Sequence, residues 1–180
     1  MTKTANKTRR AQPKEVRKEQ LIRATIKCVA KHGLSGITVA LVTREAGLSM
    51  GIANLHFESK EKLLLETLQS VTDEYAAGQT SILESADFPS TGAKIEALLA
   101  FDFSPAVSDK NKLAVWFGFL GEARSRPTYQ RICSRQDSMA EESIAALFRL
   151  ALDEAGDRVG DVRLFQRFDL IARKFDIERG

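Results

Sequence analysis

The sequence predicts an all-α protein, and three observations support this. Apolar residues recur at the spacing that places them on one face of a helix, as at Ile22, Ile26, Val29 and Ala30. Alternating strand patterns are almost absent, and no internal repeat is visible. Proline and glycine interrupt the periodic stretches near 87–92, 104–105 and 156–160. A chain of 180 residues is long enough to bury the core of one or two small helical domains.

The composition argues against membrane and disulfide-rich classes. Hydrophobic residues make up 43% and charged residues 28%, which is typical of a soluble globular protein. The longest apolar run, 113–121, is far shorter than the ~20 residues that span a bilayer. The basic N-terminus has no apolar segment of a secretory signal behind it. We expect Cys28 and Cys133 to be reduced thiols in a cytoplasmic protein that has no membrane partner.

Charge is distributed unevenly along the chain. Residues 1–62 contain thirteen Lys and Arg against five Asp and Glu, a net charge of +8, and residues 63–180 carry −5. A basic head on an acidic body indicates that the head meets a polyanion. A solvated basic tail without a partner would give the same count, so charge alone leaves both interpretations open. We predict a flexible basic arm over 1–13, a head over 14–62 and a helical body over 63–180.

The head is predicted to contain a helix-turn-helix. After a first helix that ends at Gly33, Thr38 can cap a short second helix. Gly47 supplies the turn, and Ser49 can cap a third helix that reaches about Phe57. Ser59 opens a long fourth helix that runs to about residue 83 and connects head and body. Small or branched residues allow the second and third helices to pack closely, namely Val39, Val42, Ala46, Leu48 and Ile52.

The outer face of the third helix carries groups suited to DNA. Asn54 can offer a donor and an acceptor to a base edge, and His56 can meet a phosphate or a base. Gly51 allows the backbone to approach a phosphate closely. A helix this short needs support from the first and fourth helices. We therefore predict a three-helix, helix-turn-helix DNA-binding domain, followed by a helical domain for ligand binding and dimerisation.

These residues resemble the tetracycline-repressor (TetR) family. The match lies in Thr38-Val39, Val42, Ala46-Gly47-Leu48-Ser49, Gly51, His56-Phe57 and the Ser-Lys-Glu-Lys-Leu-Leu stretch at 59–64. The resemblance covers about residues 18–66. It implies a homodimer that places its third helices in successive major grooves of a near-palindromic operator in double-stranded DNA.

The resemblance also assigns contacts. It implies phosphate contacts for Thr38, Ser49, His56 and Lys60, and base contacts for Met50, Gly51, Asn54 and Leu55. We include Thr43 and Arg44 of the second helix in the DNA-binding set. Thr43 stands where the family commonly has alanine, and Leu55 stands where many members carry an aromatic or polar residue.

The body is predicted to form helices over 94–103, 110–125, 129–155 and 161–180. Residues 114–124, followed by Arg126-Pro127-Thr128-Tyr129 and Arg131-Ile132, are similar to the BetI-like subgroup of choline-responsive repressors. The resemblance implies a small-molecule effector, choline or a related quaternary ammonium compound. Glu122 could offset its charge, and ring faces for cation–π contacts could come from Phe101, Phe103, Trp116, Phe117, Phe119 and Tyr129. Rings at helical spacing are more often core, so that interpretation also stays open.

The resemblance further implies how the protein would work as a repressor. Such regulators usually end in two amphipathic helices that form a four-helix dimer interface. Residues 138–155 match the first, whereas 161–176, rich in Arg and Asp, depart from the second. A ligand in the body would change the separation of the two recognition helices through the fourth helix.

Other functions are weighed against a DNA-binding regulator. The sequence has two histidines, His32 and His56, and no phosphate loop, nucleophile elbow or carboxylate pair, so we predict no enzyme and no catalytic residues. Cys28 and His32 could share a helix face as metal ligands do, but no second ligand pair accompanies them. We predict no metal and no cofactor. A helical protein-interaction module, or an activator without a small-molecule ligand, is the alternative.

Overall fold

The computed structural model describes residues 13–155 and contains seven helices and no strand in that range. The helices are α1 (Lys14–Gly36), α2 (Val39–Ala46), α3 (Met50–His56), α4 (Lys60–Glu84), α5 (Thr91–Asp102), α6 (Lys110–Ala123) and α7 (Pro127–Ala155). The predicted arm, apart from Pro13, and the predicted last helix over 161–180 lie outside the described residues. Within 13–155, no helix combines the length and the apolarity needed to cross a membrane.

Hydroxyl side chains fix the starts of the helices that position the site. Thr38, Ser49 and Ser59 each accept a hydrogen bond from the backbone N–H three residues later, at 3.2, 3.4 and 3.1 Å. Each bond satisfies a donor that the first helical turn cannot pair internally. The three predicted caps are thus confirmed. The start of α5 was predicted too late because Ser90 caps it in the same way.

One hydrophobic core joins the head to the body. Leu21 of α1 and Val115 and Phe119 of α6 are completely buried in it. Tyr129 of α7 packs edge-on against Phe119, with ring centroids 4.7 Å apart. Helix α4 crosses the predicted boundary at residue 62 and adds Leu63, Leu64 and Leu68 to the same core. Head and body therefore do not have separate cores.

The buried face of α1 differs from the predicted one. Leu21, Cys28 and Val29 are buried, whereas Ile22 and Ile26 are only partly buried. The reason is that α1 lies between α2, α4 and α6, so the buried arc is wide and centred on Leu21 and Cys28. The first helix was predicted to end at Gly33; the φ of Gly33, 69°, does lie in the left-handed region and kinks α1 there, but the helix continues to Gly36.

Gly47 makes the turn between α2 and α3. Its φ of 63° is left-handed, and its N–H and that of Leu48 donate to carbonyls of the last turn of α2. A Cβ would meet no atom within 4 Å, so the requirement for glycine is conformational and not steric crowding.

We expect Gly47→Ala to lower the free energy of unfolding by about 1–2 kcal/mol, because alanine is strained at this φ. Gly121→Ala is the matched control, since Gly121 lies exposed within α6 and a Cβ there also meets open space. The control should stabilise by up to about 1 kcal/mol through helix propensity. Urea unfolding of both variants measures the difference. Equal stabilities would contradict the conformational role of Gly47.

Candidate nucleic-acid interface and ligand cavity

Helix α3 is held in place by the buried side of the helix-turn-helix. Ala53 and Phe57 are 1% and 4% exposed and face the core. The Gln20 side-chain amide of α1 donates to the Ala46 carbonyl at 2.6 Å, which ties α1 to the end of α2. Sequence reasoning missed Gln20, because a polar residue in the first helix carries no local signal of this contact. The seven-residue α3 is thereby fixed at its inner face.

The outer face of α3 is open to solvent. Gly51 and Asn54 are exposed, and Met50 and Leu55 are 46% and 66% exposed despite being apolar. A Cβ on Gly51 would meet nothing closer than the Ser49 hydroxyl at 3.8 Å, so the backbone there is accessible. The predicted base-contacting residues therefore lie together on one accessible surface.

The predicted exposure of His56 is wrong. His56 ends α3 and turns toward Phe57, with ring centroids 6.3 Å apart. Both ring nitrogens are covered by protein atoms and have no hydrogen-bond partner among the described residues. A half-buried ring results, because the chain bends at this point into α4. In this structure His56 does not present a nitrogen to the outer face.

Thr43 was assigned to the DNA-binding residues, but the structure buries it. It is 4% exposed, and its hydroxyl donates to the Ala40 carbonyl at 3.1 Å and lies 3.6 Å from the Met50 sulfur. It packs between α2 and α3, as its size allows, and is not part of the accessible surface. The neighbouring Arg44 points outward and is exposed.

Cationic side chains flank α3. Arg44 and Lys60 make no ion pair within residues 13–155, whereas Lys62 and Lys18 both contact Glu66, at 3.9 and 2.7 Å. The hydrogen bond from Lys18 to Glu66 raises the pKa of Lys18. Lys18 thus ties α1 to α4, Lys62 pairs with Glu66 within α4, and Arg44 and Lys60 keep their charge available for an external anion.

The hydroxyl groups that cap α2 and α3 can also donate a hydrogen bond to DNA. A hydroxyl has one donor and two acceptor sites, and Thr38 and Ser49 use an acceptor site for the helix N–H. The O–H of each exposed side chain can still donate to a phosphate oxygen. Their predicted role as phosphate contacts is compatible with their role as caps.

The body contains a cavity of about 590 Å³. Its walls come from α4, α5, α6, α7 and the α5–α6 connection, and four aromatic rings line it: Tyr75, Phe101, Trp116 and Phe117. Tyr75 and Phe101 are stacked, with ring centroids 5.8 Å apart. Gly78 permits this arrangement, because a Cβ at that position would overlap the Phe101 ring.

Polar groups line the same cavity. Glu74, Asp102 and Asp137 provide three carboxylates against the single ammonium group of Lys112. Lys112 contacts Glu74 at 2.6 Å, and the Tyr75 hydroxyl donates to Asp102 at 2.9 Å. Burial and this hydrogen bond raise the pKa of Tyr75, so it remains a neutral donor. The cavity therefore combines ring faces with an excess of negative charge.

Only three of the seven predicted ligand-binding residues line the cavity: Phe101, Trp116 and Phe117. Phe119 and Tyr129 belong to the core, and Glu122 pairs with Arg126 at 3.0 Å. Phe103 lies just beyond the end of α5 and is 83% exposed. These four residues do not line the cavity, and for Phe119 the reason is that α6 turns one face to the cavity and the opposite face to α1.

Sequence reasoning missed the contributions of α4 to the cavity. Thr72 and Tyr75 line the cavity, and the buried Gln79, one turn further along α4, donates to the Tyr75 hydroxyl at 2.8 Å. This polar row interrupts the leucine-rich inner face of α4. A buried polar row on an otherwise apolar helix face is the signal that could have located the cavity.

The environment of Cys28 and His32 does not suit a metal ion. Burial raises the pKa of the Cys28 thiol, which disfavours the thiolate that a metal requires. His32 is exposed. No cluster of three His, Cys, Asp or Glu side chains suited to a metal ion occurs in the described part of the chain.

Comparison with known proteins places these features in a family. The family model described as bacterial regulatory proteins, tetR family, matches residues 21–67. The HTH-type transcriptional regulator BetI of Burkholderia thailandensis is 30% identical over 146 residues, which are 81% of this chain and 74% of that protein. BetI of Brucella canis is 29% identical over 117 residues, or 65% and 58% of the two chains.

Solved structures agree with this fold. A transcriptional regulator from Pseudomonas aeruginosa PAO1 aligns with a TM-score of 0.70 and 26% identity, over 84% of this chain and 72% of that one. The ketosteroid transcriptional regulator KstR2 of Mycobacterium tuberculosis aligns with a TM-score of 0.65 and 21% identity, over 84% and 76%. The helix-turn-helix of α2 and α3, the helical body and these relatives lead to one conclusion: the chain belongs to the tetR family of bacterial regulatory proteins and is a DNA-binding transcriptional regulator.

Proposed function

We propose that the protein is a ligand-responsive repressor that binds a near-palindromic operator as a homodimer. The observation that carries this proposal is the outer surface of α3, where Met50, Gly51, Asn54 and Leu55 are accessible together. Exposed apolar side chains on a recognition helix suit contact with thymine methyl groups, and Asn54 suits the paired donor and acceptor of adenine. Arg44 and Lys60 would hold the phosphates on either side.

A second copy of the chain would supply the second recognition helix for a palindromic operator. Residues Ile144, Phe148 and Leu152 recur every four residues along α7 and are 39%, 41% and 38% exposed. A row of this kind favours helix-to-helix packing between two copies, as the family's four-helix interface requires. A dimer about a two-fold axis presents two α3 helices, which calls for an inverted repeat in the operator.

Selection of genomic DNA fragments by the purified protein tests the function. Recovery of an inverted repeat with half-sites about one helical turn apart is the expected result. Recovery of random fragments would favour the alternative, a module whose basic head contacts an acidic protein. The genes beside the recovered site, measured with and without the regulator, distinguish a repressor from an activator.

Asn54→Ala should weaken binding to the recovered site by ~1–3 kcal/mol and relax the base preference at one position in each half-site. Lys60→Ala is the comparison, since loss of a phosphate contact should weaken all sequences alike and reduce the salt slope by about one. Anisotropy titrations on specific and random duplexes, at several salt concentrations, separate the two effects. An Asn54→Ala protein with unchanged specificity would show that α3 lies in a different orientation.

For the effector, we propose a quaternary ammonium compound bound in the α4–α7 cavity. Four ring faces and an excess of carboxylates suit a cation that cannot donate hydrogen bonds. Asp102 takes the charge-offsetting role that the sequence suggested for Glu122. A volume of about 590 Å³ is in the range of drug-sized ligands, so a trimethylammonium group with an apolar chain would fill the cavity better than choline.

Calorimetry with choline and with decyltrimethylammonium tests the effector class. Trp116→Ala should weaken binding of the cation by ~0.5–2 kcal/mol, the usual range of a cation–π contact. Phe103→Ala is the matched control, because that ring is 83% exposed and outside the cavity. No binding of either cation, or an equal loss in both variants, would remove this effector class from consideration.

A further inference from the structure

The turn between α6 and α7 contacts the first turn of α4 through one arginine. Arg126 lies 3.3 Å from the Glu61 carboxylate with one terminal nitrogen and 3.0 Å from the Glu122 carboxylate with its Nε. Its guanidinium carbon lies 5.2 Å from the centroid of the Tyr129 ring. Three partners from α4, α6 and α7 thus converge on a single planar cation.

Tyr129 gives this contact a rigid base. It is 1% exposed and packs against Phe119, so neither ring is free to rotate away. Burial, followed by the hydrogen bond to Glu61, raises the pKa of Tyr129. The hydroxyl therefore stays protonated and faces the same carboxylate as Arg126. An exposed ion pair alone would be weak, but this one is anchored on a buried ring.

The contact joins the wall of the cavity to the start of α4 beside the recognition helix. On one side, α6 and α7 form a hairpin whose residues Trp116, Phe117 and Gln136 line the cavity. On the other side, Glu61 directly follows Ser59 and Lys60, which open α4 beside the recognition helix. The Phe119–Tyr129 packing joins α6 to α7, so a displacement of the hairpin carries Arg126 with it.

We propose that Arg126 is a positioning residue for DNA binding, which holds the start of α4 against the α6–α7 hairpin. Its contact with Glu61 fixes where Lys60 stands relative to α3. It also makes the placement of Lys60 depend on the hairpin that forms the cavity wall. This inference rests on the proposed function, because its effect is measured on DNA.

The test uses the full chain and the DNA fragment recovered with the wild-type protein. Arg126→Met removes the guanidinium with its charge and hydrogen-bond donors and keeps an unbranched apolar stem. Arg131→Met is the matched control, since Arg131 is exposed on α7, five residues beyond Arg126, and makes no ion pair within residues 13–155. Glu61→Gln combined with Arg126→Met separates positioning from charge compensation. Anisotropy, thermal melting and hydrogen exchange are recorded for each variant.

We expect Arg126→Met to bind the fragment at least about fivefold more weakly, the lower end of typical coupling between sites. Hydrogen exchange at the amides of 61–64 should accelerate, while the melting temperature and the Arg131→Met control stay close to wild type. The double variant should remain as weak as Arg126→Met, because the tether is absent in both. Arg126→Lys should lie between wild type and Arg126→Met and provides the readout if the methionine variant unfolds.

Three results would overturn the inference. Unchanged affinity in both Arg126 variants means that the contact does not position α4. Full recovery in the double variant means that Arg126 only neutralises Glu61 near the DNA. Unchanged exchange at 61–64 means that the tether does not order the start of α4. Failure of the wild-type protein to select any DNA is a separate outcome that concerns the proposed function alone.

Discussion

The packing of α1 against α6 is the contact on which the remaining structure depends. Leu21 from one helix and Val115 and Phe119 from the other are completely buried, so neither helix can move alone without opening the core. The opposite face of α6 carries Trp116 and Phe117 into the cavity wall. A close-packed interior transmits displacement instead of absorbing it. The same helix therefore supports the DNA-reading head on one side and encloses the cavity on the other.

The DNA-reading part of the protein could be predicted well because its signals are local. Thr38, Ser49 and Ser59 cap helices within three residues of themselves, and Gly47 makes its turn through its own backbone dihedral angles. Such interactions are readable from a short stretch of sequence. The predictions for Thr43 and His56 failed because either side chain could face the DNA or pack against a neighbouring helix. There the outcome is decided by neighbours on α3 and α4, which the local pattern does not specify.

The cavity could not be predicted to the same extent because four helices must assemble before it exists. An aromatic residue in α6 carries no mark that separates Trp116, which lines the cavity, from Phe119, which lies in the core. The negative charge that faces the cavity comes not from Glu122 but from Glu74, Asp137 and, at the end of α5, Asp102. Tyr75, its hydrogen-bond partner, is 27 residues away in the chain. Pairings over such distances depend on tertiary packing, which periodicity alone does not determine.

Helix α4 also has a mechanical consequence through its length. Its 25 residues rise about 37 Å, which is comparable to the ~34 Å between successive major grooves on one side of DNA. A rigid rod of that length works as a lever. A tilt of only about five degrees about its far end displaces the near end by about 3 Å, roughly one hydrogen-bond length. In a two-fold assembly both levers tilt in opposite directions, so the mismatch with the grooves is doubled.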